Sequence, residues 1–134
     1  MIDEKSGKLY DRVYRRRPFS IKYADYTKLI ISLLHKYGCK KLLDIGCGRS
    51  AVTVEASKFC DVTGLDISEE ALQPMKELGL KNVTFVVGDC RDLPFPDKSF
   101  DVVVAAEVIE HLTELDGDKL LMEAKRVLKR GGGN

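Results

Sequence analysis

The 134-residue chain is 44% apolar and 32% charged with a formal net charge of +1, the make-up of one globular domain that can bury a core, with no overall charge to draw nucleic acid or a membrane surface. No apolar run approaches the roughly 18 residues of a membrane span. The N-terminal "MIDEKSGKLYDRVYRRRP" places charges where a secretory leader needs an apolar stretch, so the chain is expected in the cytoplasm. Cys39, Cys47, Cys60 and Cys90 share no paired spacing and are expected as reduced, structural thiols. Cys47, inside a glycine turn, is the one expected to be open to reaction.

Along the chain, Tyr26, Leu29, Ile30, Leu33, Leu34 and Tyr37 follow helical spacing and predict an amphipathic helix that stops at Gly38. "KKLLDIG" reads as a buried strand, followed by the turn "GCGRSA" and a helix over 51–59. "DVTGLDIS" is a second strand. Ser68 is placed to cap the next helix, with Glu69 and Glu70 in its first turn where amide dipoles favour acids; Pro74 is expected to bend that helix or delay its start. "NVTFVVGD" is a third strand, "RDLPFPDKSF" a loop, and "DVVVAAE" the fourth and most apolar strand. A last helix sets Leu120, Leu121, Ala124, Val127 and Leu128 on one face, with basic residues at its end. Strands alternating with helices predict an α/β fold with a parallel sheet covered on both faces.

Gly46-x-Gly48-x-x-Ala51 satisfies a loose dinucleotide fingerprint, and Asp66 lies where an acid bonding ribose hydroxyls is found. A nicotinamide-dependent oxidoreductase is therefore one reading. Asp44 opposes it, because a carboxylate beside the turn repels a pyrophosphate and attracts a cation. The plainer alternative is that Asp44 caps the turn and the glycines only permit tight packing. Against that, Asp44, Asp66, Asp89 and Glu107 each fall at the carboxyl end of a predicted strand, the edge at which open α/β sheets bind ligands.

"LLDIGCG", "GLDIS", "VVGDCRDLPFPDKSFDVVVAAEVIEHL" and "EAKRVLKRGGG" together resemble the successive motifs of class I S-adenosylmethionine-dependent methyltransferases, especially the group of ubiquinone- and menaquinone-pathway enzymes. The resemblance runs over about residues 40–133. It implies a Rossmann-like sheet with strand order 3-2-1-4, without the last strands of the family's seven-stranded sheet, and S-adenosylmethionine as cofactor. By that resemblance Asp44, Gly46, Cys47 and Gly48 line the methionine end, Asp66 with Ile67 takes the ribose, and Asp89 with the Cys90 backbone meets the adenine, with Glu107 also among the cofactor-binding residues. Ser50 stands where the family's turn carries its third glycine. Residues 1–38 would form a basic segment and helix that caps the substrate, and 39–134 the cofactor-binding core.

"EVIEHL" is the remaining stretch with chemistry. If it opens a helix, Glu107, Glu110 and His111 fall at i, i+3 and i+4 and could meet a magnesium or manganese ion, a pattern similar to the metal segment of small-RNA 2′-O-methyltransferases. Alternatively His111 serves as a general base, since an imidazole exchanges protons near neutrality, or it simply faces the pocket. The four arginines of "RVYRRRPF", with Tyr14 and Phe19, suit either an RNA backbone or a segment that closes over a small molecule. The function expected is methyl transfer to a small-molecule acceptor, with an RNA acceptor or a noncatalytic cofactor-binding module as the alternatives. No membrane partner is expected. The apolar fourth strand, left at the sheet's edge, is expected to pair with another subunit or be protected by the terminal segment.

Overall fold

The computed structural model of the chain describes residue 21 and residues 23–129; the arginine run at 12–19 and residues 130–134 lie outside them. The described residues form a parallel four-stranded sheet, β1 (Lys41–Ile45), β2 (Asp61–Asp66), β3 (Val83–Val87) and β4 (Val102–Val104), in the order β3-β2-β1-β4. Helices α1 (Thr27–Lys36), α2 (Ala51–Ala56), α3 (Glu69–Glu77) and α4 (Glu114–Val127) accompany it. Both the expected fold class and the strand order are found. β1, with neighbours on both sides, is the most deeply buried strand.

Side chains of a strand alternate between faces, and β1 sorts its residues accordingly. Leu42 joins Leu34 of α1, Val52 and Ala56 of α2 and Val62 in one core, whereas Leu43 and Ile45 join Leu65, Leu93, Phe100, Leu120 and Val127 in the other. Asp44 shares the face of Leu42, and this period-two arithmetic delivers its carboxylate to the side where α1 and α2 begin. Each core buries aliphatic side chains worth about 1.5–3 kcal/mol apiece.

Several local expectations change. α2 ends at Ala56 rather than continuing to 59. Pro74 sits inside α3, which nonetheless starts on the Ser68 cap, the hydroxyl oxygen accepting from Ala71 N–H at 3.0 Å. In α1 the face toward the protein is formed by Thr27, Ile30, Ile31 and Leu34, while Leu29, Leu33 and Tyr37 are exposed. In α4, Leu120 and Val127 are buried but Leu121 points to solvent; it lies about 100° around the helix from Leu120. The "EVIEHL" segment does not open a helix: Glu107 has a left-handed φ of 60°, Ile109–His111 make one 3₁₀ turn, and α4 starts later on the Thr113 cap.

The loop after β3 has two prolines, which cannot donate backbone hydrogen bonds, and a side chain of α4 fixes its course. Arg126 donates to Leu93 O and Phe95 O at 2.9 and 2.8 Å, to Asp97 Oδ1 at 2.9 Å and to both carboxylate oxygens of Glu123 at 2.7 and 3.1 Å. Glu123 in turn accepts from Leu93 N–H at 2.8 Å. Beyond α4 the chain runs beside the entry to β4, with Ser99 and Phe100 N–H donating to Val127 O and Lys129 N–H to Phe100 O. No helix among the described residues is long and apolar enough to cross a membrane.

Candidate functional site

At the carboxyl end of β1 the chain turns sharply, and Gly46 takes a φ of 71° there, a conformation that costs a residue with a Cβ. A Cβ at this position would also collide with the Val108 side chain. The amides of the turn point inward. Gly46 and Cys47 N–H donate to Leu65 O at 2.7 and 3.1 Å, and Gly48 N–H donates to Asp66 Oδ2 at 3.0 Å. Ser50, in place of a third glycine, caps α2: its Oγ accepts from Val52 and Thr53 N–H at 3.2 and 3.5 Å. A phosphate cradle needs such amides aimed at the ligand, and here the chain itself takes them up.

Beside the turn a cleft of about 550 Å³, open mouth included, is lined by Tyr26 and Thr27 of the α1 entry, Asp44, Gly46, Arg49, Ser50, Ala51, Val52, Ala106 and Glu107. Asp44 is 2% exposed and its Oδ2 accepts from Thr53 Oγ1 at 2.7 Å. Burial pushes its carboxyl up to about 6, against the pull of hydrogen bonds from Thr53 and Ser50, and nearby Asp66 adds to the rise. Across the cleft, Tyr26 is pushed up to about 12, by desolvation first and then by Glu107. Thr27 Oγ1 is a buried side-chain atom with no hydrogen-bond partner. The spacing of Glu107 from β4 signalled its place, but Tyr26, Thr27 and Arg49 escaped sequence reasoning, because nothing local ties them to a cleft. Thr53 was findable in principle: it lies one helical turn after the Ser50 cap.

One strand over, Asp66 is buried, with Oδ1 accepting from Ser68 N–H and Oδ2 from Gly48 N–H, each at 3.0 Å; Ile67, next to it, is half-buried. At the end of β3, Asp89 is gripped by Arg91, with Nη2 to Oδ2 at 2.8 Å and Nε to Oδ1 at 3.1 Å, and Cys90 beside it is 2% exposed. The structure thus brings Asp44, Gly46 and Glu107 to one cleft, and sets Asp66 and Asp89 at the same sheet margin.

Two expectations are corrected. Cys47 is fully buried, its thiol raised well above the usual value by desolvation first and then by Asp44 and Asp66, so it is neither accessible nor easily ionised. Glu107, Glu110 and His111 form no metal site; among the described residues no group of three or more His, Cys, Asp or Glu could hold an ion. The left-handed Glu107 and the 3₁₀ turn remove the shared helical face that the spacing required. Glu110 and His111 are instead exposed and lie 3.5 Å from each other.

A family model described as "Methyltransferase domain" matches residues 43–133. The chain is similar to a demethylmenaquinone methyltransferase of Thermotoga maritima, 31% identical over 132 residues covering 96% of this chain and 56% of that protein. It is also similar to a sterol 24-C-methyltransferase of Gibberella zeae, 41% identical over 110 residues covering 75% of this chain and 28% of that protein. Among solved structures, a SAM-dependent methyltransferase from Aquifex aeolicus superposes with a TM-score of 0.64 at 26% identity, covering 96% of this chain and 69% of that one. The chain spans about half the length of the first of these relatives and less of the second.

Proposed function

The chain belongs to the methyltransferase-domain family, and from that premise we propose that its cleft binds S-adenosylmethionine and delivers the methyl group to a small-molecule acceptor. One observation carries the reading: the turn after β1 has its amides engaged within the chain and a buried acid, Asp44, at its side, a setting hostile to pyrophosphate and suited to a cation.

The residues present fit such a ligand. Asp44 and Glu107 would offer carboxylates to the sulfonium and ammonium groups, and Arg49 lines the same cleft. The Thr27 hydroxyl, partnerless in its pocket, would gain a polar neighbour. Asp66 would face a ribose diol and Asp89 an exocyclic amine, each as a hydrogen-bond acceptor. When bound, S-adenosylmethionine supplies an electrophilic methyl carbon on a leaving group that departs neutral. The protein's task is then to orient both partners and keep water out. Tyr26 and Thr27 at the α1 entry, which line the cleft, would form part of the wall that does so at the methionine end.

For an acceptor that must lose a proton, we place His111 as the base, exposed on the 3₁₀ turn beyond Glu107. Several relatives bear the names of small-molecule methyltransferases, among them a 27-O-demethylrifamycin SV methyltransferase, which favours that acceptor class. Calorimetry with S-adenosylhomocysteine and NAD tests the assignment: the first should bind and the second should not. Tighter binding of NAD would defeat it.

A further inference from the structure

The acid at the end of β3 is held by the side chain and backbone of a residue two positions on. Arg91 wraps back on Asp89: its main-chain N–H donates to Oδ1 at 2.8 Å, Nε to Oδ1 at 3.1 Å and Oδ2 at 3.2 Å, and Nη2 to Oδ2 at 2.8 Å. The guanidinium is anchored from behind, because Nη1 reaches Asp116 Oδ1 at 3.3 Å in the first turn of α4. Asp116 is 6% exposed and its N–H donates to the Thr113 Oγ1 cap at 3.1 Å. The carboxylate side chain of Asp89 remains 30% exposed, so a ligand can still reach it.

An ionised carboxylate only accepts, and it has about four acceptor positions. The Arg91 main-chain N–H and Nε occupy Oδ1, Nη2 occupies one position of Oδ2, and the longest contact, Nε to Oδ2 at 3.2 Å, is the shared arm of the same Nε–H. What remains is one acceptor position on Oδ2, fixed in direction by a planar fork that cannot swivel as a lysine would. A group offered to that position must donate.

We propose that Arg91, braced by Asp116, is the positioning residue that sets nucleobase selectivity in the cleft, holding Asp89 so that it accepts from a 6-amino purine and rejects a 6-oxo purine. This rests on the reading of Asp89 as the adenine-side acid given above. A 6-oxo group would place its oxygen against a carboxylate oxygen that has no proton to give, leaving both acceptors unpaired in a partly desolvated site.

The test compares S-adenosylhomocysteine with S-inosylhomocysteine by calorimetry on the 134-residue chain. The unaltered protein should prefer the adenosine form by roughly tenfold or more, the value of one hydrogen bond to a charged group. Arg91→Met should lose most of that preference by weakening the adenosine form, with far-ultraviolet dichroism unchanged. Asp116→Asn keeps the side-chain shape and tests the brace if Arg91→Met fails to fold; the preference should fall several-fold. A preference unchanged in both folded variants, or the unaltered chain binding both nucleosides equally, overturns the role of Arg91. Binding of neither nucleoside would overturn the cofactor reading as well.

Discussion

Two carboxylates stand at the carboxyl margin of the sheet, and the chain treats them in opposite ways. Asp89, at the end of β3, is gripped by a guanidinium and partly exposed. Asp44, at the end of β1, is buried among hydroxyl donors with a second acid close by, and its carboxyl is pushed up to about 6. A neutralised acid is suited to reading hydrogen bonds of an uncharged base, whereas a buried acid held near its titration point gains most from an arriving cation. On the proposed reading, Asp89 serves recognition of the base and Asp44 electrostatic attraction of the cationic end.

The glycines that let the backbone pass each acid offer the severest way to break this contrast. Gly46→Ala meets a left-handed φ and the Val108 side chain together, and should lose about 2 kcal/mol of stability along with measurable S-adenosylhomocysteine binding. Gly88→Ala brings a Cβ to 3.0 Å from Leu65 Cδ1 without a left-handed backbone, and should cost about 1 kcal/mol, at the low end of overpacking. Chemical denaturation of both variants checks the pair.

Next comes charge. Asp44→Asn should weaken S-adenosylhomocysteine binding roughly a hundredfold by leaving a cationic group without its buried partner. Its melting temperature should not fall, since an ionised carboxyl no longer has to be buried. A variant that melts earlier and binds normally would show Asp44 to be a packing residue.

A pH series sharpens the same point with a smaller effect. If only ionised Asp44 holds the ligand, affinity should fall roughly tenfold between pH 7 and pH 5, and calorimetry near pH 6 should register proton release on binding. Stability of the ligand-free chain runs the other way. The folded carboxyl keeps its proton to about pH 6 against an ordinary 3.8, so its contribution favours the fold below about pH 4 and is lost as the pH rises through 6. The change should be on the order of 3 kcal/mol and should disappear in Asp44→Asn.

The smallest effect belongs to the exposed turn. Glu110→Gln should leave cofactor-product affinity within about twofold, as surface substitutions usually do, with or without magnesium in the titration.

The parallel sheet and the acids at the strand ends were legible because both follow from apolar runs and their breaks, a signal written in consecutive residues, whereas the strand order came from the family resemblance alone. The burial of Asp44 was not read from the sequence; it shares a face with Leu42, which packs against α1 and α2. The "EVIEHL" segment misled because its spacing fits a helix, while a single left-handed residue, Glu107, was enough to prevent one. The faces of α1 and α4 were misjudged at Leu29, Leu33 and Leu121 for a related reason: periodicity identifies an apolar stripe but not how much of it the sheet covers. The Arg91–Asp116 brace joins residues 25 positions apart and leaves no trace in local pattern.

Arg126 has a consequence for how the loop between β3 and β4 can vary. Three hydrogen bonds donated to the loop by one guanidinium serve as a surrogate main chain for a segment whose prolines cannot tether themselves. The route of that loop is therefore encoded some 30 positions downstream, and side chains along it are free to be exchanged, for instance to graft a different acceptor specificity, as long as the distant rivet stays in place.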